Sequence, residues 1–173
     1  MRMNGNQISQ CNYKVDAPYP QVRVDGQNPI YAHEMLSDMA DVVSEMSDVS
    51  RYFYIAVVTQ QKYRSISTCF HNISIVEMHH LNMFAELAQL LGADPRLWSG
   101  RTRKRWWSPS FIRYPRELRA LIAESIKAET AAIRKYASQA NTIRDPNIVA
   151  ILNRIILDEE RHLQIFSEMY QQI

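Results

Sequence analysis

Residues 157–166 read LDEERHLQIF, and residues 75–84 read IVEMHHLNMF. Both stretches set Glu-x-x-His inside a run of large apolar residues. A carboxylate and an imidazole that face a core are costly to bury, so the repetition needs a physical reason. Projected at about 100° per residue, Ile66, Phe70, Ile73, Glu77, His80, Leu81, Phe84 and Ala88 share one helical face. Ile148, Leu152, Ile155, Glu159, His162, Leu163, Phe166 and Tyr170 repeat that face position by position at an offset of 82. Each Glu lies mid-helix, and its His follows one turn later on the same side. Ten Glu and five His in 173 residues would give about 0.3 such pairs by chance.

Working outward, Gly and Pro divide the chain. Gly5, Pro18, Pro20, Gly26 and Pro29 mark residues 1–29 as an extended arm. Residues 30–91 hold neither type. One helix of that length would run roughly 90 Å, so a turn is expected near QKYRS at 61–65. Gly92, Pro95, Gly100, Pro109 and Pro115 mark a long connection, and 116–144 is again free of both. In DPN at 145–147, Asp145 reads as an N-cap with Pro146 in the first turn. Residues 30–173 thus read as an all-α bundle of four long helices. Short links join helices 1–2 and 3–4, and a long crossover joins 2 to 3.

Helices 1 and 3 carry the matching half of the pattern. Glu45 projects beside Val42, Val49 and Ala56, with Tyr52 seven residues on. Glu129 projects among Ile122, Ile126, Ile133 and Ala140, with Tyr136 at the same spacing. The chain therefore reads as a duplicated helical hairpin, each copy supplying Glu and then Glu-x-x-His. Four carboxylates and two imidazoles in one apolar interior are untenable as unpaired groups. Two divalent cations would balance the four negative charges. Mixed oxygen and nitrogen donors suit iron or manganese better than a structural zinc. Two Glu–His pairs bonded to one another without metal are the plainer alternative.

Net charge is +2, too small to indicate nucleic acid or membrane. The first residues lack an apolar stretch of signal-peptide type, and no apolar run is long enough for a membrane helix. Cys11 and Cys69 lie far apart and form no CxxC. They read as two reduced thiols in a cytosolic protein.

Over about 30–173 the sequence resembles the ferritin-like superfamily, its rubrerythrin-like and manganese-catalase-like members above all. The residues that carry the resemblance are Glu45, EMHH at 77–80, ETAAIRKY at 129–136 and DEERH at 158–162. It implies a ferritin-like four-helix bundle around two Fe or two Mn ions per chain, reacting with peroxide or O₂. Glu77 and Glu159 would bridge, Glu45 and Glu129 would be terminal ligands, and His80 and His162 would each complete one metal. Asp158 would accept the spare N–H of His80, while the mirror position is Val76. Tyr52, Tyr136 and Asp48 would stand just outside the ligands. Rubrerythrins often carry a C-terminal rubredoxin domain, whereas these residues end with helix 4. Electrons would then come from an external donor, or the reaction would be a disproportionation. The family's extra Glu after the helix-3 ligand is here Ala132, and Asp48 is its mirror on helix 1. Iron oxidation and storage, or a bundle with a purely structural metal staple, are the rival readings. A cytoplasmic homo-oligomer with no nucleic-acid or membrane partner is expected.

Other features carry less. Glu34, Asp38, Asp41, Glu45 and Asp48 fall within about 80° of one face and read as a solvated stripe, or as a cation path toward Glu45. RTRKRWWSPSFIRY at 101–114 reads as a crossover whose Trp106 and Trp107 cover the bundle, with a nucleic-acid contact as the alternative. His79 projects away from the ligand face. His33 and His71 carry no signal. The arm is expected to pack across a partner subunit.

Overall fold

A computed structural model describes residues 11–100 and 104–173. Among the described residues five α-helices form the body: α1 Pro29–Ala40, α2 Glu45–Thr59, α3 Arg64–Leu90, α4 Leu118–Thr142 and α5 Pro146–Gln172. Two antiparallel hairpins, α2 with α3 and α4 with α5, meet through α2–α4 and α3–α5 contacts, and α1 packs on α3. The crossover carries a two-residue ribbon, β1 Trp98–Ser99 and β2 Arg105–Trp106, with Trp98 opposite Trp106. Among the described residues no helix is long and apolar enough to cross a membrane.

The expected first helix is in fact two. Ser44 caps α2 by accepting the Ser47 N–H, and the Ser44 and Ser47 hydroxyls both donate to the Asp41 carbonyl. A Ser at that position with acidic residues in the turn that follows is a helix start signal. It interrupts what a straight projection treats as continuous, and it turns Val42 outward. The other starts follow the ordinary signals. Asn28 caps α1 ahead of Pro29, and Asp145 caps α5 ahead of Pro146.

The break also overturns the solvated acidic stripe. Asp38 is fully buried, with Lys135 Nζ at 2.9 Å and Gln139 Nε2 at 2.9 Å. Burial pushes its carboxyl up to about 6, against the pull of Lys135. Asp48 is buried too, paired with Arg51. Asp41 is bonded to Arg105.

Two apolar clusters fill the bundle. One gathers Met35, Leu36, Phe84, Leu87, Tyr136, Leu152 and Ile155. The other gathers Tyr52, Ile55, Phe70, Ile73, Ile122 and Phe166. Glu77–His80 and Glu159–His162 lie between the two clusters in chain order on α3 and α5. A polar layer is thus enclosed by apolar ones, which removes water and heightens every charge interaction inside it.

Residues 11–28 contain no helix and lie along the bundle of their own chain. Arg154 donates to the carbonyls of Val15 and Ala17, and Arg161 to that of Asn12. The Arg154 guanidinium also lies 4.1 Å from the Tyr19 ring centre. Cys11 and Cys69 form a disulfide, with Cα atoms 5.7 Å apart. This corrects the reading of two reduced thiols: with a sequence separation of 58 and no motif, only the folded path of the arm brings them together. In the crossover, Trp107 packs on the core and donates to Ser47 Oγ at 3.1 Å, whereas Trp106 points outward and is 56% exposed. Residues 101–103 of the basic stretch lie outside the described residues.

Candidate metal centre

Glu45, Glu77, His80, Glu129, Glu159 and His162 are all buried in the polar layer. Their arrangement is built on the two imidazole Nδ1 atoms. Around His80 Nδ1 stand Glu159 Oε1 at 3.0 Å, Glu77 Oε2 at 3.1 Å and Glu45 Oε2 at 3.8 Å. Around His162 Nδ1 stand Glu77 Oε1 at 3.0 Å, Glu159 Oε2 at 3.1 Å and Glu129 Oε1 at 3.7 Å. Glu77 and Glu159 each send one oxygen to either side, while Glu45 and Glu129 each serve one side. The ring centres are 6.5 Å apart.

One ring nitrogen can share only one proton, yet three carboxylates converge on each. Glu77 Oε1, Glu159 Oε1 and Glu129 Oε2 accept no well-aligned hydrogen bond among the described residues. Native proteins rarely leave buried carboxylate oxygens so. Two compact donor sets result: Glu45, Glu77, His80 and Glu159, and Glu77, Glu129, Glu159 and His162, each with donor atoms within 4.8 Å of one another. The donors present fit a pair of cations with mixed oxygen and nitrogen ligands.

Electrostatics make the same point. Burial first, then the Glu159 charge, pushes Glu45 and Glu129 well above the usual carboxylate range. For Glu159 burial pushes upward, but hydrogen bonding to His162 and His80 overcomes it and holds the group low. Burial would lower His162, but the Glu77 charge and the hydrogen bonds of Glu159 and Glu77 carry it up to about 10. Left to themselves, these groups can be neutralised only by sharing protons.

Outside this ring the two halves first match and then diverge. Tyr52 donates to Glu129 Oε1 at 2.5 Å, and Tyr136 to Glu45 Oε1 at 2.6 Å. Each tyrosine reaches across to the one-sided carboxylate of the other hairpin. Phe166 packs against Tyr52 and Phe84 against Tyr136. Burial raises both phenols well above their ordinary value.

The outward nitrogens differ. His80 Nε2 faces Asp158 Oδ2 at 3.2 Å and Tyr19 Oη at 3.3 Å. Tyr19 donates to Asp158 Oδ2, the Val15 N–H donates to Asp158 Oδ1 at 2.8 Å, and Arg154 Nη1 lies 2.8 Å from Oδ2. His162 Nε2 instead faces the Tyr13 carbonyl oxygen at 2.9 Å. Tyr13, Val15 and Tyr19 were invisible to sequence reasoning. Two of them act through backbone atoms, which carry no residue signature.

Asp48 makes no hydrogen bond to the six ligand candidates. Burial pushes its carboxyl up to about 7 despite Arg51, with the Glu77 and Glu159 charges adding to the rise. His79 is exposed, its ring edge-on to Tyr19 at 4.6 Å. His33 bonds only its local Pro29 carbonyl, and His71 is exposed.

No curated protein matches the chain in sequence. Among solved structures, KatB, a manganese catalase from Anabaena PCC7120, is similar with a TM-score of 0.81 at 18% identity, covering 91% of this chain and 78% of that one. Bacterioferritin BfrA of Mycobacterium tuberculosis is similar with a TM-score of 0.70 at 15% identity, covering 85% and 87%. Bacterioferritin of Desulfovibrio desulfuricans, whose structure describes a diiron site, gives 0.69 at 19% identity, covering 83% and 80%. At these identities the likeness is one of fold. The Rubrerythrin family matches residues 39–170, a span that holds all six ring residues, both tyrosines and Asp158, and the chain belongs to that family.

Proposed function

We propose that the chain is an oxidoreductase that holds two iron or two manganese ions and consumes hydrogen peroxide or O₂. The observation that carries this reading is the doubled ring of three carboxylate oxygens about each imidazole Nδ1. Glu77 and Glu159 would hold both ions, Glu45 and His80 one, and Glu129 and His162 the other. A bound redox pair would supply two-electron chemistry toward an O–O bond. The chain's own part is positional. Tyr52 and Tyr136 fix the terminal carboxylates, Asp158 fixes the His80 ring, and the apolar clusters on either side exclude water. Asp48, buried with Arg51 on the α2 side, lies near the ring without entering it.

The manganese catalase among the similar folds supports disproportionation of peroxide, 2 H₂O₂ → 2 H₂O + O₂, which needs no external electron donor. Metal analysis of natively purified protein, followed by oxygen-electrode assay with peroxide, tests the reading. About two Fe or Mn per chain with steady O₂ release supports it. Stoichiometric zinc, or no metal, overturns it, and iron loading far beyond two per chain replaces it with storage. A cytoplasmic homo-oligomer is part of this proposal. Phe53 and Val57 on α2 and Ile75 and Met78 on α3 are at least half exposed, and a second copy would cover them. A monomer in light scattering at working concentration would remove that part.

A further inference from the structure

The arm does more than lie on the bundle. Within seven residues it supplies the Tyr13 carbonyl to His162 and the Val15 N–H and Tyr19 hydroxyl to Asp158, which faces His80. One arm segment thus reaches both outward imidazole nitrogens, that of His80 through Asp158. Two residues before Tyr13, that segment is bonded through Cys11 to the fully buried Cys69 of α3. The far end is held by Asp25 and Arg23 bonding to Asp145 and Asn147 at the start of α5. Between these anchors, Arg154 and Arg161 grip backbone carbonyls, and Arg154 also lies over the Tyr19 ring. Tyr13 lies against one apolar cluster, Tyr19, Val22 and Val24 against the other.

The geometry points to a redox-locked cover. With Cys11–Cys69 closed, the arm holds both histidines in the orientation that retains the two ions; with the bond open, residues 11–19 leave and the ions exchange. This rests on the dinuclear reading above. Tyr13, Val15 and Tyr19 are positioning residues, acting on the ions only through His162 and the Asp158–His80 pair. Cys11 is the more exposed of the two residues. A dithiol opens the bond by thiolate attack on Cys11 Sγ. The Cys69 thiolate leaves and takes a proton, and the second thiol of the reductant then displaces Cys11, so the dithiol departs as its disulfide. Hydrogen peroxide closes the bond again: two thiols and H₂O₂ give the disulfide and two waters. The oxidant that the centre is proposed to consume would therefore also lock its metals in place. A bond of this kind suits a compartment where disulfides are made and broken rather than permanent.

The test is metal release. Manganese-loaded protein is mixed with excess chelator, and loss of manganese is timed for the oxidised chain, for the dithiol-reduced chain with two thiols verified, and for Cys11→Ser. Outer partners of metal-bound histidines typically change affinity 10- to 100-fold, so release at least about tenfold faster is expected after reduction and in Cys11→Ser. The dithiol should not change Cys11→Ser further, which controls for chelation by the reductant itself. Tyr19→Phe, with the disulfide intact, should speed release of one of the two ions. Peroxide added to reduced wild type should restore slow release, which keeps the test decisive even if Cys11→Ser folds poorly. Equal release rates from loaded oxidised and reduced protein overturn the inference, as does a bond that no dithiol opens in the folded chain. A chain that takes up no manganese or iron overturns the dinuclear reading itself.

Discussion

Replacing Asp158 by Asn should weaken one metal-binding step and leave the other nearly unchanged. Asp158 is fully buried and only accepts: the Val15 N–H on Oδ1, and Tyr19, His80 and the Arg154 charge on Oδ2. Burial alone would push it up, but the bonds from His80, Tyr19 and Val15 hold it below the usual carboxylate range. An amide has one acceptor and one donor end. If its NH₂ replaces Oδ1, it meets the Val15 N–H donor to donor. If its NH₂ replaces Oδ2, His80 Nε2 must accept, and the ring proton moves to Nδ1, the atom that faces the carboxylates. Bound metal needs Nδ1 free of its proton, so Nε2 must donate and the amide is forced into the first arrangement; without metal the second is open, and binding therefore costs a buried donor mismatch of about 1–3 kcal/mol. At about 1.4 kcal/mol per decade, that is roughly a 5- to 140-fold loss of affinity. Removing the charge also strands Arg154, but that cost falls on metal-free and metal-bound protein alike and cancels from binding. His162 keeps its Tyr13 carbonyl and the arm keeps its disulfide, so the second step should be spared. Stepwise manganese titration of metal-free protein by calorimetry measures both constants. Two steps that remain at their wild-type values, or that weaken equally, would refute the reasoning.

Three further outcomes are expected. His80→Ala and Glu159→Ala should each lose metal and lower the melting temperature of the loaded protein, because bound metal stabilises only the folded chain; elemental analysis and calorimetry check this, and unchanged metal content contradicts it. Tyr52→Phe and Tyr136→Phe each leave a buried carboxyl oxygen, of Glu129 or Glu45, without its phenol donor, and should cost about 1–3 kcal/mol in denaturant melts. The pH dependence should change sign with metal. Folded His162 is raised from 6.5 to about 10, and Glu45 and Glu129 are raised as well, so the folded metal-free chain binds more protons than the unfolded one. The His162 contribution to stability is complete below pH 6.5 and is lost as pH rises through about 10. Metal binding displaces those protons, so affinity should rise over the same range, as titrations at pH 6, 7.5 and 9 would measure.

The inward course of Glu45, Glu77, His80, Glu129, Glu159 and His162 was legible because helical periodicity fixes which residues share a face. Each lies far enough from a helix irregularity on the relevant side for the projection to hold. It failed on the N-terminal side of Glu45. There the Ser44 cap breaks the helix, Val42 turns outward and Asp38 turns in. An N-cap signal and a continuous apolar stripe competed at that point, and the local hydrogen bonds of Ser44 and Ser47 prevailed. The arm was illegible for a different reason. Its contacts to Asp158 and His162 span sequence separations of 139 to 149, and backbone groups make two of the three. Nothing in the order of side chains along 11–19 announces them. The Cys11–Cys69 bond is a product of that same path.

The mirrored hairpins bear on how the two ions could come to differ. Were the bundle a dimer of identical helical hairpins, every substitution would appear twice, and both histidines would have the same surroundings. An Asp ahead of one Glu-x-x-His would stand ahead of both. Joining the two copies in one chain lifts that constraint. Position 158 can be Asp while its counterpart, position 76, is a buried Val. Position 48 can be Asp while position 132 is a buried Ala. A single arm can then reach both halves with different groups, a backbone carbonyl for one and a hydroxyl and an N–H for the other. Fusion thus frees the inner ring to keep its symmetry while the surroundings of each half are selected separately.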